Sequence, residues 1–191
     1  MSPADLERLA RQLRSRTVQR IDDPEARRAA VAGIFRVSPE DRVEVLLIRR
    51  AERPGDHWSG HMAFPGGRRE PHDPDLLATA TRETLEEVGL DLGAGGELLG
   101  PLDEILPRNR TGLVVSPFAF RLSGAPELRP NHEVAEAIWT DVGPLIRGEV
   151  DDEHPLEWQG QQFRFPAYRV GGHLVWGMTY RVLKSMFELL E

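Results

Sequence analysis

The segment from Asp75 to Val88 constrains the fold more than any other stretch of the chain. It opens on acidic side chains and is closed by Gly89, at the position where helices commonly end in a left-handed residue. At 100° per residue, Glu83, Glu86 and Glu87 fall within an arc of about 100°, while Leu77, Thr81, Leu85 and Val88 cluster on the roughly opposite side. The pattern predicts a helix that buries the second set and presents three carboxylates on the first.

The rest of the chain predicts a sheet for that helix to lie on. Ala30 to Val37 and Val43 to Ile48 are β-branched runs separated by Ser38-Pro39-Glu40-Asp41, which reads as a hairpin with a largely buried second strand that exits at Arg49 and Arg50. Leu98 to Leu106, Leu113 to Leu122 and Val134 to Trp139 read as further strands, and Phe163 to Val170 with His173 to Trp176 as a late hairpin. Ser2 is an N-cap for a helix from Pro3 to about Arg16, in which Leu6, Leu9 and Leu13 recur at helical spacing. A terminal helix is expected from Met178 to Leu190. Between Ala51 and Pro74 stand four Pro and four Gly among 24 residues, too many for a regular element, yet Trp58, Met62 and Phe64 mark this loop as packed. No repeat or linker interrupts the pattern. The expectation is one α+β domain over residues 1–191, an αβα sandwich around a mixed sheet.

Composition narrows the function classes. The 24 Lys and Arg against 31 Asp and Glu give a net charge of −7, which argues against nonspecific binding to nucleic acid or to an anionic membrane. With four Trp and seven Phe the chain has the bulk for a core, so disorder is excluded as its main state. The absence of cysteine removes disulfides, thiolate metal sites and thiol nucleophiles, and fits a reducing compartment. No apolar run approaches the roughly 18 residues of a spanning helix, and the charged stretch from Met1 to Asp23 is unlike a secretory signal, so the cytoplasm is the default location.

Three like charges on one helix face repel, each i,i+3 or i,i+4 pair costing a few tenths of a kcal/mol. A hard divalent cation removes that cost, and carboxylate oxygens suit Mg²⁺ or Mn²⁺. A solvated acidic face is the plain alternative for such a helix standing alone. Here Phe64-Pro65-Gly66-Gly67 precedes it, placing two glycines where main-chain groups can approach a metal or a phosphate.

Gly67 followed by Arg82-Glu83-Thr84-Leu85-Glu86-Glu87-Val88-Gly89-Leu90 resembles the signature of the Nudix hydrolases: Gly, five residues, Glu, seven residues, then Arg-Glu-apolar-x-Glu-Glu-x-Gly-apolar. Asp73 stands where the pattern has its first Glu, eight residues rather than seven separate it from Arg82, and Thr84 occupies an apolar position. Gly60 through Asp73, with Phe64-Pro65-Gly66-Gly67 at its centre, is similar to the stretch found in Nudix enzymes that cleave coenzyme A, and Leu46-Leu47-Ile48-Arg49-Arg50 to the segment leading into it. Ile48 replaces a Thr of that pattern, and Asp56 lies where a basic residue is usual. A fainter likeness to a later Nudix strand runs from Pro130 to Trp139.

The resemblance implies metal-dependent hydrolysis of the pyrophosphate of coenzyme A or its derivatives, giving 3′,5′-ADP and 4′-phosphopantetheine. Glu83 and Glu87 are the strongest candidate ligands for Mg²⁺ or Mn²⁺, Glu86 is a third ligand or the base that orients water, and the resemblance adds the Gly66 carbonyl. Arg82 either fixes a carboxylate rotamer or makes an ordinary surface ion pair. Arg49, Arg50, Arg53, Arg68 and Arg69 form a basic concentration suited to the 3′-phosphate of coenzyme A, or are solvated loop charges. Trp58 stacks on adenine or belongs to the core, and His57 and His61 pack the loop or touch substrate. Glu133 completes the metal site or is a strand-edge carboxylate. The competing readings are a pyrophosphatase for ADP-ribose, dinucleotides or nucleoside triphosphates, and a nucleotide-binding regulatory module without turnover. The sequence assigns no oligomeric state.

Overall fold

The computed structural model describes residues 1–55, 58–107, 112–158 and 160–191. Asp56 and His57 lie outside the described residues. The elements run α1 (Pro3–Ser15), β1 (Arg27–Val37), β2 (Val43–Arg50), β3 (Met62–Ala63), β4 (Gly66–Arg68), α2 (Leu76–Val88), α3 (Leu92–Gly95) and β5 (Gly96–Pro101). There follow β6 (Leu113–Leu122), β7 (Val134–Asp141), α4 (Val142–Ile146), β8 (Asp151–Trp158), β9 (Gln161–Val170), β10 (His173–Trp176) and α5 (Gly177–Glu188).

Alternation along β1 explains the layers, because successive side chains of a strand point to opposite faces. Ala29, Val31 and Phe35 join Leu6, Leu9 and Leu13 of α1 and Val182, Leu183 and Met186 of α5 in one core cluster. Ala30, Ala32 and Ile34 face the other way, onto Ala80 and Val88 of α2. The sheet is therefore covered on both faces, the αβα arrangement expected. Each fully buried Leu contributes about 1.5–3 kcal/mol, so α1 is held by its apolar stripe. Its start is defined by a reciprocal cap in which Ser2 and Asp5 bond each other's backbone.

The sheet is mixed: β1 pairs with β6 in parallel and with β2 antiparallel. The β1–β2 hairpin is shorter than its strands, since pairing is confined to Phe35↔Val45 through Val37↔Val43. Beyond that point the strands part, with β4 taking the place beside β1 at Ala29 to Val31 and β3 pairing with β2 at Ile48 and Arg49. The loop expected to lack regular structure thus contains two short strands that fill the wedge. Glycine makes this possible at Gly66, where φ is +151° and a Cβ would stand 2.3 Å from the Ala30 carbonyl oxygen.

Other departures are local. The strand expected over Leu98 to Leu106 is β5, ending at Pro101, with Ile105 making only an isolated bridge to Val115. β8 was not expected; it pairs with β9, which pairs with β10 in a separate antiparallel sheet. Its alternating polar residues and Pro155 hide it from a search for β-branched runs. Among the described residues no helix is long and apolar enough to cross a membrane.

Candidate active site

Helix α2 begins where Asp75 accepts the Ala78 N–H at 2.7 Å and ends at Gly89, left-handed at φ 72°. Its rotation differs from the expected one. Leu85 is 49% exposed, whereas Thr84 and Glu87 are buried beside Ala80 and Val88. Summed apolarity misjudged the phase because small residues, Thr79, Ala80 and Thr84, face the sheet, where α2 lies close upon it. Thr84 meets burial by donating its hydroxyl to the Ala80 carbonyl at 2.7 Å. The carboxylates consequently sit on the shoulder of the buried stripe, Glu87 within it, instead of on an opposed solvent face.

This rotation brings the carboxylates onto β4. The Gly66 N–H donates to Glu87 Oε2 at 2.8 Å. Pairing of Ala30 with Gly67, bracketed by bonds from Ala32 N–H to the Pro65 carbonyl and from Arg69 N–H to the Arg28 carbonyl, turns the main-chain groups of Gly66 away from β1. At Gly67 a Cβ would lie 2.4 Å from Glu83 Oε1, so the bare glycine is the space in which that carboxylate rests.

Arg82 organises the exposed side of the cluster. Its guanidinium reaches Glu83 at 3.0 Å, Glu86 at 3.2 Å and the Arg68 carbonyl at 3.0 Å. It also grips Asp73 with two bonds, of 2.9 and 3.0 Å. Asp73 is buried and further accepts from Thr79 Oγ1 and the Glu70 N–H. The Arg82 guanidinium holds the Asp73 carboxyl far below the usual carboxylate range. The extra residue between Asp73 and Arg82 therefore leaves their contact intact, with Asp in the role of an anchor for Arg82.

Burial pushes Glu87 up to about 7, with the Glu83 charge adding to the rise and the Gly66 N–H and Arg50 opposing it. Burial likewise raises Glu83, against the pull of Arg82. Two carboxylates crowded in a desolvated corner bear a cost that a divalent cation would remove, and an all-oxygen donor set is the kind that Mg²⁺ or Mn²⁺ takes. Among the described residues no three acidic or histidine side chains already converge as ligands. Glu83 and Glu86 lean on Arg82, from which a cation would have to draw them.

The carboxylates line a cleft of about 470 Å³ whose opposite wall is Asn131, His132 and Glu133. That wall is set by the end of α2: the Arg129 N–H and the Asn131 N–H donate to the otherwise unpaired Val88 and Glu87 carbonyls, at 2.8 and 2.9 Å. Glu133 thus faces the helix and bonds Arg53 at 2.9 Å. Nothing in the local pattern at 129–131 announces this capping contact, so the roles of Asn131 and His132 as walls were missed.

The five arginines are dispersed. Arg69 donates to the Asp73 and Pro74 carbonyls, holding the turn before α2. Arg49 lies 3.5 Å from Glu136. Arg68 is exposed at the end of β4, and Arg53 is at the cleft rim on Glu133. Arg50 both acts on Glu87 and lines a second, largely apolar cavity that also includes Trp58 and His61. His61 meets the Trp176 ring edge-on at 5.2 Å.

The NUDIX domain family profile matches residues 26–159. Over 98% of this chain and 89% of the relative, the sequence is 31% identical to a mitochondrial coenzyme A diphosphatase of Mus musculus. It is 44% identical over 111 residues to an uncharacterized protein of Schizosaccharomyces pombe; that match covers 55% of this chain and about a third (34%) of the length of the yeast protein. A MutT/nudix family protein from Enterococcus faecalis shares the fold, with a TM-score of 0.59 at 17% identity over 98% of this chain and 69% of that one. With the profile spanning most of the chain, and covering both the glycine strand and the carboxylate helix, the protein belongs to the Nudix hydrolases.

Proposed function

We propose that the protein hydrolyses the pyrophosphate of coenzyme A or a coenzyme A derivative to 3′,5′-ADP and a 4′-phosphopantetheine product. The observation that carries the chemistry is Glu87, buried, bonded to Gly66 and crowded by Glu83 at the floor of an acidic cleft. The choice of substrate draws support from the near full-length likeness to the mouse coenzyme A diphosphatase and from the Gly60 to Asp73 stretch, which supplies β3 and β4.

Glu83, Glu87 and the Gly66 carbonyl are the groups that would hold Mg²⁺ or Mn²⁺, with Glu86 as a further ligand or the base that orients water. Such ions, when bound, neutralise phosphate charge and lower the pKa of water. The water oxygen bonds to one phosphorus and the bridging oxygen leaves with the other, the water protons passing to the products. Arg82 keeps Glu83 and Glu86 aimed at the cleft, and Asp73 keeps Arg82 in place. Of the five arginines, Arg50, which acts on Glu87, Arg53 on Glu133 and exposed Arg68 are our candidates to meet the substrate's remaining phosphate, Arg69 being engaged with main-chain carbonyls and Arg49 lying beside Glu136. The cysteine-free composition is compatible with a reducing compartment, the cytoplasm in our reading.

The test is kcat/KM measured side by side for coenzyme A, its 3′-dephospho form, ADP-ribose, NADH and nucleoside triphosphates. A charge-assisted bond to the 3′-phosphate is worth about 1.5–3 kcal/mol, or roughly ten- to a hundredfold in favour of coenzyme A over the dephospho form. ADP-ribose or a triphosphate as the best substrate would overturn the reading.

A further inference from the structure

Glu133 lines the carboxylate cleft from the wall opposite α2, just before β7 begins at Val134. A carboxylate at the start of a strand is ordinarily free to swing into solvent, but this one is held at three points. Its N–H donates to Asn131 Oδ1 at 2.8 Å, its carbonyl accepts the Ala51 N–H at 2.8 Å, and its side chain bonds Arg53 at 2.9 Å. The adjacent His132 shows the contrast: its side chain is 82% exposed and comes no nearer than 3.8 Å to the Glu133 carboxylate.

Of these bonds, the one to Asn131 joins the two walls of the cleft. The Asn131 N–H donates to the Glu87 carbonyl at 2.9 Å, while its side-chain oxygen holds Glu133 and its carbonyl accepts the Val134 N–H at 3.2 Å. Asn131 thus touches the carboxylate helix with its main chain and Glu133 with its side chain. Pro130, just before it, has no N–H with which to brace the turn. Asn is one of the few residues whose short side chain can close on the N–H two positions along. The charge of Glu133 pushes Glu83 and Glu87 up alike, so its placement is felt by both carboxylates at once.

We propose that Asn131 is a positioning residue of the cation site: through its side-chain bond it holds Glu133 across the cleft from Glu83 and Glu87, and so sets how tightly Mg²⁺ or Mn²⁺ binds. The proposal rests on the reading of Glu83 and Glu87 as cation ligands and is independent of which pyrophosphate is cleaved. A further carboxylate facing that pair strengthens the attraction for a divalent ion, and does so more the less it wanders. Without the Asn131 acceptor, the Glu133 N–H turns to water, the chain at 131–133 loosens, and the carboxylate is left to Arg53 at the cleft rim.

The experiment measures the Mn²⁺ dissociation constant of the full chain by calorimetry, without substrate, for the wild type and for Asn131→Ala, Asn131→Ser, Glu87→Gln, Glu133→Gln and the double variant Asn131→Ala/Glu133→Gln. Asn131→Ala is expected to weaken binding about three- to tenfold, the worth of one net hydrogen bond. Asn131→Ser, whose hydroxyl closes the same turn more weakly, should fall between it and the wild type. In the Glu133→Gln background the Asn131→Ala change should alter binding by less than about twofold, because the carboxylate through which Asn131 acts is gone. Should Asn131→Ala fail to fold, the same comparison is made with Asn131→Ser. Wild-type Mn²⁺ affinity in a folded Asn131→Ala protein would overturn the positioning role and leave the ligand reading in place. An equal loss in both backgrounds would also overturn it, since Asn131 would then support the wall without acting through Glu133. A Glu87→Gln protein that binds Mn²⁺ as tightly as the wild type would overturn the ligand reading and this proposal with it.

Discussion

Replacing Asp73 by Asn preserves the size of the side chain and removes its charge, which isolates what this buried carboxylate does. In the wild type it accepts four bonds, two from Arg82 at 2.9 and 3.0 Å, one from Thr79 Oγ1 at 3.0 Å and one from the Glu70 N–H at 2.9 Å. An Asn offers one acceptor oxygen, and its amide nitrogen meets groups that are all donors. Breaking a buried ion pair by removing one partner costs about 3–5 kcal/mol. Arg82 keeps Glu83 and Glu86 within 3.2 Å, so part of that is recovered, and we expect a loss of about 2–3 kcal/mol. For a chain of this length the loss corresponds to a Tm lower by about 4–12 °C.

The pH dependence has a definite sign. Because the folded pKa of Asp73 is depressed, its stabilisation is complete above the unfolded value near 3.8 and is lost as pH falls below it. The gap between wild type and Asp73→Asn should thus be constant from about pH 5 to 8 and shrink under more acid conditions. Urea unfolding followed by tryptophan fluorescence at a series of pH values measures it. A difference under about 0.5 kcal/mol at pH 7, or a gap that widens on acidification, would refute the anchoring role. Turnover should fall as well, since an Arg82 freed from Asp73 binds Glu83 and Glu86 more strongly and competes with a cation for them.

Glu87→Gln is expected to lower turnover by at least about a hundredfold. In chelator at pH 8, however, the same variant should be more stable than wild type by about 1–3 kcal/mol, because a carboxylate pushed up to about 7 no longer has to ionise in the fold. That advantage should fade as pH drops through 7 and vanish below about 4.5; a variant less stable than wild type at pH 8 in chelator would contradict the burial argument. Gly67→Ala should cut turnover by tenfold or more with Tm nearly unchanged, since the three atoms nearest its added Cβ all belong to the movable Glu83 carboxylate. Gly66→Ala, whose Cβ meets the Ala30 backbone, should lose several degrees of Tm in addition.

Much of this protein was readable from local chemistry. The bounds of α2 follow from Asp75 and Gly89, those of α1 from Ser2 and its leucine spacing, and the strands β1, β2 and β6 from β-branched runs, because caps, periodicity and branching act within a few residues of where they are written. The family was legible in the same way, through the resemblance carried by three glutamates on a helix after a Gly-Gly pair. What local pattern could not supply was anything that depends on the partner surface. The rotation of α2 was misread because close approach to the sheet selects small Thr79, Ala80 and Thr84 over bulky Leu85, a preference invisible until the sheet is in place. Glu133 joins the cleft only because the chain at 129–131 caps the far end of α2, 40 or more positions along the sequence from that helix. The apolar cavity that includes Arg50 and Trp58 is assembled from loops, five strands and a helix that lie far apart along the chain, brought together by how β8, β9, β10 and α5 fold back. Sequence spacing carries the charges and the caps; which of those charges are desolvated, and what lies next to them, is decided by packing between segments that are remote along the chain.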